Sequence, residues 1–156
     1  LVQDDELLIG VVYEVNKDEC FSAYLDGGAF MNGSQISVSK IETLDESLLA
    51  TGFPYHDFGK TKEYLDILNH FMQNAHGLRR LGSAAVDLAY VAMGRFEGFF
   101  EYNLNAWDVA AGALIVKEAG GIVTTFSSKS DFVFGKEIIA SNGIHDEMKS
   151  IIKRYW

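Results

Sequence analysis

The sequence predicts an α/β fold, with antiparallel strands first and a mixed sheet flanked by helices after them. Two observations carry this reading. Through residue 40, β-branched and apolar runs are separated by Gly, Asn and Asp turn residues at spacings that suit hairpins. After residue 46, short apolar strands alternate with segments of helical apolar period, the pattern of strands joined by helices. The expected division is 1–40, antiparallel strands completing an N-terminal sheet whose start is missing, and 41–156, a C-terminal α/β portion.

Residues 1–3 read as strand, and Asp4-Asp5-Glu6 has the look of a tight turn before the apolar run 7–13. A polar turn at 16–19 leads to a second run, 20–25, making a hairpin. Asp26-Gly27-Gly28 and Met31-Asn32-Gly33 are turn signals around Ala29-Phe30, and 35–38 alternates as a half-buried strand does. The first strand of the second portion is 48–51. Thr61 is placed to cap a helix whose apolar face is Tyr64, Leu65, Leu68, Phe71, Met72 and Ala75, with Gly77 as its stop. A short strand at 78–81 precedes Gly82-Ser83, which opens a helix running to Met93. An aromatic strand follows at 96–101. The segment 107–119 is apolar nearly all round, which predicts a buried helix, with Gly112 permitting close approach of a neighbour. Strands are expected at 122–124 and 137–140. Asn142-Gly143 begins a last amphipathic helix carrying Ile144, Met148, Ile151, Ile152 and Tyr155.

The chain has 156 residues, 48% hydrophobic and 22% charged, a composition that can bury one core. Its formal charge of -9 repels phosphate backbones, so direct nucleic-acid binding is not expected. The single cysteine, Cys20, excludes an internal disulfide framework and suits a reducing cytoplasm. No apolar stretch has the roughly 18 residues needed to span a bilayer, and no signal segment is visible. Residue 1 is leucine within a strand-like run, so the chain is expected to start mid-fold, with a partner strand upstream.

Trp107-Asp108-Val109-Ala110-Ala111-Gly112, followed by Glu118-Ala119-Gly120-Gly121, is the most specific pattern in the chain. It resembles the C-terminal signature of the inositol monophosphatase family. The resemblance extends to Gly10-Val11-Val12-Tyr13, Gly28-Ala29-Phe30, Asn32-Gly33, Thr51-Gly52-Phe53 and residues 79–85, and so covers nearly the whole chain. It implies part of a layered αβαβα sugar-phosphatase sandwich, a magnesium-dependent phosphoric monoester hydrolase, a small-molecule phosphate ester as substrate and a cytoplasmic homodimer.

Taken alone, Asp108 at a helix start fits an N-terminal capping role, since a carboxylate there meets free N–H groups and the positive end of the dipole. The resemblance implies instead a catalytic residue that ligates the second Mg2+. Glu101, at a strand end seven residues earlier, reads as a solvated acid or, through the resemblance, as a binder of substrate hydroxyls. Gly82, Ser83 and Ala84 form a strand-to-helix turn with free N–H groups. Ser83 serves there as cap, as substrate contact, or as both, and the resemblance places substrate contacts at this turn. Arg79 and Arg80 are left outside the site as strand arginines of the ion-pairing kind. His56, His70, His76 and His145 lack zinc-site spacing and read as ordinary histidines.

The family's other metal ligands, a glutamate and an Asp-Pro-Ile/Leu-Asp-Gly-Thr/Ser motif, do not occur in these 156 residues and are expected upstream. The intact protein is therefore expected to hydrolyse a polyol phosphate, inositol monophosphate first, and this stretch alone to be inactive. Fructose 1,6-bisphosphate and adenosine 3',5'-bisphosphate are the alternative substrates. A noncatalytic protein-binding scaffold is the alternative role, because some bacterial relatives also bind transcription machinery.

Overall fold

A computed structural model describes residues 1–4, 6–127 and 129–156. The turn read at Asp4-Asp5-Glu6 lies in part outside the described residues; the strands on either side of it, β1 (Val2–Gln3) and β2 (Glu6–Leu7), pair antiparallel. Next come β3 (Ile9–Glu14), β4 (Glu19–Tyr24), β5 (Ala29–Met31) and β6 (Ser34–Ile36), a four-stranded antiparallel sheet in chain order. Asp18, Asp26 and Asn32 turn its corners with positive φ, as short polar side chains can. The strand expected over 35–38 is shifted towards the preceding turn, because Met31 pairs with Ser34 immediately across Asn32-Gly33.

The second portion contributes β7 (Leu48–Thr51), α1 (Thr61–Asn74), β8 (Gly77–Arg79), α2 (Ala84–Ala92), β9 (Gly98–Tyr102), α3 (Ala106–Glu118), β10 (Ile122–Thr124), β11 (Glu137–Ser141) and α4 (His145–Tyr155). Its five strands lie in the order β10-β11-β9-β7-β8. Strand β7 runs parallel to β8 and β9, whereas β11 runs antiparallel to β9 and β10. The α/β class with an antiparallel and a mixed sheet is therefore as predicted.

Strand alternation sorts the core into two layers. Ala50, Phe99, Ile138 and Ala140 face α2 and α3, whose other side packs on Val12, Phe21 and Ala23 of the first sheet. Leu49, Phe100 and Ile139 face α1 and α4 on the other side. Helix α3 is sandwiched, and its buried Leu114, Ile115 and Val116 each contribute about 1.5–3 kcal/mol of burial. Gly112 makes this possible, since a Cβ there would stand 2.6 Å from Leu88 Cβ.

Two packing expectations are corrected. On α1, Leu65 and Met72 are exposed and Ile67 is fully buried. The helix meets only one layer, so the buried stripe is Tyr64, Ile67, Leu68 and Phe71, narrower than the apolar sequence suggests. On α3, Trp107 is 79% exposed, because the first turn projects beyond the layer that covers the rest. Thr61 does not cap α1; its hydroxyl bonds the Phe58 carbonyl at 2.8 Å.

Candidate functional site

Three parallel strands, β7, β8 and β9, end on the same edge of the mixed sheet, and the segments leaving them converge there. Such an edge, outside the carboxyl ends of parallel strands, is where open α/β sheets place ligands. A cavity of about 380 Å³ opens at it. Gly52, Phe53, Tyr55 and His56 come from the loop after β7. Arg80 and the 82–84 turn follow β8, Glu101 lies near the end of β9, and Asn105 and Asp108 follow that strand.

All of the residues singled out from the sequence, Asp108, Glu101, Gly82, Ser83 and Ala84, line this one cavity. Gly82 takes φ +94, a conformation that suits a residue without Cβ, and this bends the chain from β8 into α2. Ser83 sits at the N-cap position of α2, yet its side chain makes no capping bond. The first N–H groups of α2 and the Ser83 hydroxyl therefore remain for a ligand at the positive end of the helix.

Glu101 is held by alternation and by a glycine. Phe99 and Glu101 point to the α2/α3 side, while Phe100 and Tyr102 point to the other. Glu101 is 6% exposed, and among the described residues its carboxyl makes no hydrogen bond within the chain. Its carboxyl fills the space that a Cβ on Gly52 would take, 2.2 Å away. Behind it, the Thr51 hydroxyl donates to the Phe100 carbonyl at 2.8 Å and the Tyr64 hydroxyl donates to the Gly52 carbonyl at 3.0 Å. These bonds tie α1 to the ends of β7 and β9. Burial pushes Glu101 up to about 8, with the Asp87 charge adding to the shift, Arg80 opposing it and Asp108 contributing last. The solvated-acid reading does not fit this environment.

Asp108 lies in the first turn of α3, and its Oδ2 accepts the Asn105 N–H at 2.9 Å. It is thus the carboxylate arm of a capping arrangement, not the N-cap, which is Asn105. Oδ1 is left without a partner among the described residues. A hard divalent cation such as Mg2+ takes about six oxygen ligands. The described residues contain no group of three or more His, Cys, Asp or Glu placed to hold an ion. Asp108 fits one ligand position and no more.

Two residues of the site were not picked out from the sequence. Arg80, set aside as an ion-pairing arginine, lines the cavity, donates to the Tyr55 hydroxyl at 2.6 Å and lies over the Phe53 ring. Asp87, in the first turn of α2 just after the cavity-lining 82–85 segment, is 1% exposed, and burial pushes it up to about 7. A lone carboxyl inside the apolar run 84–92 was the available signal. His145, read as ordinary, is buried between the Ser141 and Thr124 hydroxyls, at 2.7 and 3.0 Å from its ring nitrogens. No helix among the described residues is long and apolar enough to cross a membrane.

Known proteins share both sequence and fold with this chain. Nus factor SuhB from Escherichia coli is 39% identical over 155 residues, covering 94% of this chain and 58% of its own length. An inositol-1-monophosphatase from Mesorhizobium japonicum is 38% identical over 144 residues, covering 92% and 54%. The crystal structure of extragenic suppressor protein suhB from Bartonella henselae superposes with a TM-score of 0.93 at 40% identity, covering 97% of this chain and 58% of that one. The chain spans somewhat more than half the length of these relatives. The inositol monophosphatase family model matches residues 1–156, from the first strand through the Trp107-Asp108 helix to the last, and the chain belongs to that family.

Proposed function

We propose that the intact protein hydrolyses a small polyol phosphate monoester in a magnesium-dependent reaction, with inositol monophosphate as the first candidate substrate. The observation that supports this most directly is the convergence of Asp108, Glu101 and the 82–84 turn on one cavity of about 380 Å³, a size that suits a small phosphorylated ring. When bound, Mg2+ would supply charge stabilisation at the phosphoryl and leaving-group oxygens and lower the pKa of a coordinated water. On this reading Asp108 offers Oδ1 as one ligand, while Oδ2 keeps the α3 terminus in place. The remaining ligands come from sequence outside these 156 residues, and this stretch alone is inactive.

The other groups of the chain bind and orient. The first N–H groups of α2, at the positive end of the helix, face the cavity and favour an anion. Arg80 adds the positive charge nearest Glu101 and Asp87. Glu101, mostly protonated at neutral pH, meets a substrate hydroxyl without adding a negative charge that would repel the phosphate. The exposed rings of Phe53, Tyr55 and Trp107 stand around the mouth and limit the size of the alcohol. In this proposal residues 1–40 complete an upstream sheet and residues 41–156 supply the substrate side of the site, within a homodimer.

The test is Asp108→Asn in the intact protein, measured as magnesium-dependent phosphate release. Removing a partner of a metal ligand typically costs 10–100-fold, so replacing the ligand itself is expected to lower kcat by more than about 100-fold. Turnover near wild type sinks the assignment. A panel of inositol, fructose and adenosine phosphates compared by kcat/KM decides the substrate. A protein-binding role is the second reading, favoured by one observation: the Escherichia coli relative is named a Nus factor and not a phosphatase. A protein that shows no phosphatase activity in that panel, yet is captured by a defined protein partner, would favour it.

A further inference from the structure

Arg80 directs its guanidinium to neutral groups. Its Nη2 donates to the Tyr55 hydroxyl at 2.6 Å, and its Cζ stands 5.9 Å from the centre of the Phe53 ring. Its Nη1 and Cζ also lie 3.1 and 3.6 Å from the place that a Cβ on Gly82 would take, so the group rests against the bare main chain of the 82–84 turn. Among the described residues no carboxylate forms a salt bridge with it, whereas Arg95 is held by Glu19 in two bonds of 2.6 Å. The ordinary surface ion pair is therefore not the use made of Arg80. Its partners Phe53 and Tyr55 belong to the loop after β7, and Arg80 itself follows β8, the edge strand of the mixed sheet. The order β9-β7-β8 puts Glu101 and Asp108 on one flank of that loop and Arg80 on the other. Beyond β8 no further strand lies among the described residues, so side chains alone wall the cavity there. The same loop has a second tie, from the Tyr102 hydroxyl on β9 to the Asp57 carbonyl at 3.2 Å. Phe53 and Tyr55 are 45% and 66% exposed and belong to neither core layer, which leaves Arg80 as the group that holds their rings.

We propose that Arg80 is a positioning residue that sets the alcohol specificity of the site: by fastening Tyr55 and Phe53 to the 82–84 turn, it closes the edge side of the cavity around a single ring. The proposal rests on the reading of this cavity as the phosphate-ester site. A hydrogen bond from a charged donor, joined by a cation–π contact, keeps such a loop closed for most of the time. With the clamp released the two rings swing outward. A single-ring alcohol then loses contacts on that side, and a larger alcohol gains room.

The experiment uses the full-length protein as wild type, Arg80→Met, Tyr55→Phe and the double variant. Arg80→Met keeps the stem and removes charge and donors; Tyr55→Phe keeps the ring and the arginine charge and removes the acceptor. The readout is kcat/KM for myo-inositol 1-phosphate relative to that for the bulkier adenosine 2'-phosphate. Both are phosphate monoesters, so a lost positive charge affects them alike and cancels in the ratio. The ratio is expected to fall about tenfold in each single variant, through a raised KM of the inositol ester at little-changed kcat. It should fall no further in the double variant, because one clamp is broken in all three. Chymotrypsin cleavage within 55–59, which needs the loop open, is expected to speed up about tenfold in the same variants. A wild-type ratio in Tyr55→Phe overturns the clamp, since Arg80 then acts as a charge alone, and effects that multiply in the double variant overturn it too. Cleavage at the wild-type rate in every variant overturns it without any turnover being measured. A wild-type protein that hydrolyses neither ester, while cleavage speeds up as expected, overturns instead the reading of the cavity as the phosphate-ester site.

Discussion

Gly52→Ala isolates the position of Glu101 from its chemistry. The added Cβ would stand 2.2 Å from the Glu101 carboxyl carbon and both of its oxygens, where ordinary contact begins at 3.4 Å. The Gly52 backbone does not take a left-handed φ, so alanine itself is accommodated by the main chain. What yields is the free end of the Glu101 side chain, which must retreat by more than about 1 Å, the scale of ordinary van der Waals separation. A misplacement of that size at a binding group costs on the order of 10²-fold. The intact Gly52→Ala protein is therefore expected to lose about 10²-fold in kcat/KM for myo-inositol 1-phosphate and much less for p-nitrophenyl phosphate. Because Gly52 and Glu101 are both buried, its denaturant midpoint is expected to fall by about 1–3 kcal/mol equivalent, the ordinary cost of overpacking. A wild-type kcat/KM for the inositol ester would refute the reasoning. An equal loss for both esters would refute it too, because it would place the effect at the reacting phosphate.

Two further predictions concern stability. Gly112→Ala puts a Cβ 2.6 Å from Leu88 Cβ, which is fixed to the α2 backbone, so α2 and α3 must spread. Overpacking of about 1–3 kcal/mol exceeds the helix-propensity gain of about 1 kcal/mol, and a fall of about 3 °C in the thermal midpoint is expected; a midpoint at or above wild type would refute the close approach. Burial holds the His145 imidazole down to about 4, with Lys149 adding to the shift. Between that value and the unfolded value near 6.5 the unfolded chain binds more protons, so stability is full above about pH 6.5 and falls as pH drops towards 4, by up to about 3 kcal/mol. Asp87 and Glu101 act with the opposite sign, since their raised values favour the folded state at low pH. The difference between wild type and His145→Gln in urea midpoint, followed from pH 7 to 4, isolates the histidine; parallel curves would sink the prediction.

Legibility from sequence followed the physical reach of each signal. Strand runs and their glycine and asparagine turns are local, and the strands at 20–25, 48–51 and 122–124 lie within a residue of where alternation and turn chemistry put them, whereas the run 7–13 is split at Leu8 between β2 and β3, which join different sheets. The buried face of α1 depends on how much surface its neighbours cover, which no helical period contains, and so Leu65 and Met72 were misassigned. The site divides in the same way. Asp108, Glu101 and the 82–84 turn were visible through the family pattern and strand ends. Arg80 and Asp87 were not, because an arginine at a strand end and an acid in a helix acquire meaning only when β7, β8 and β9 bring their ends to one edge.

At that edge the capping role of Asp108 and its proposed role as a metal ligand fit one side chain. A carboxylate in the first turn of a helix satisfies a free N–H, and Oδ2 does so with Asn105. Capping consumes one oxygen and fixes the side-chain rotamer, which leaves Oδ1 held in place at the wall of the cavity. The capping role is thus compatible with the proposed metal-ligand role and does not compete with it. The choice of substitution follows. Asp108→Ala would remove the capping bond and the candidate ligand together, at about 1 kcal/mol of helix stability, and any loss of activity would be ambiguous. Asparagine keeps a carbonyl oxygen for the Asn105 N–H and removes the charge, so an Asp108→Asn protein with a wild-type thermal midpoint and no magnesium-dependent turnover assigns the loss to the site and not to the fold.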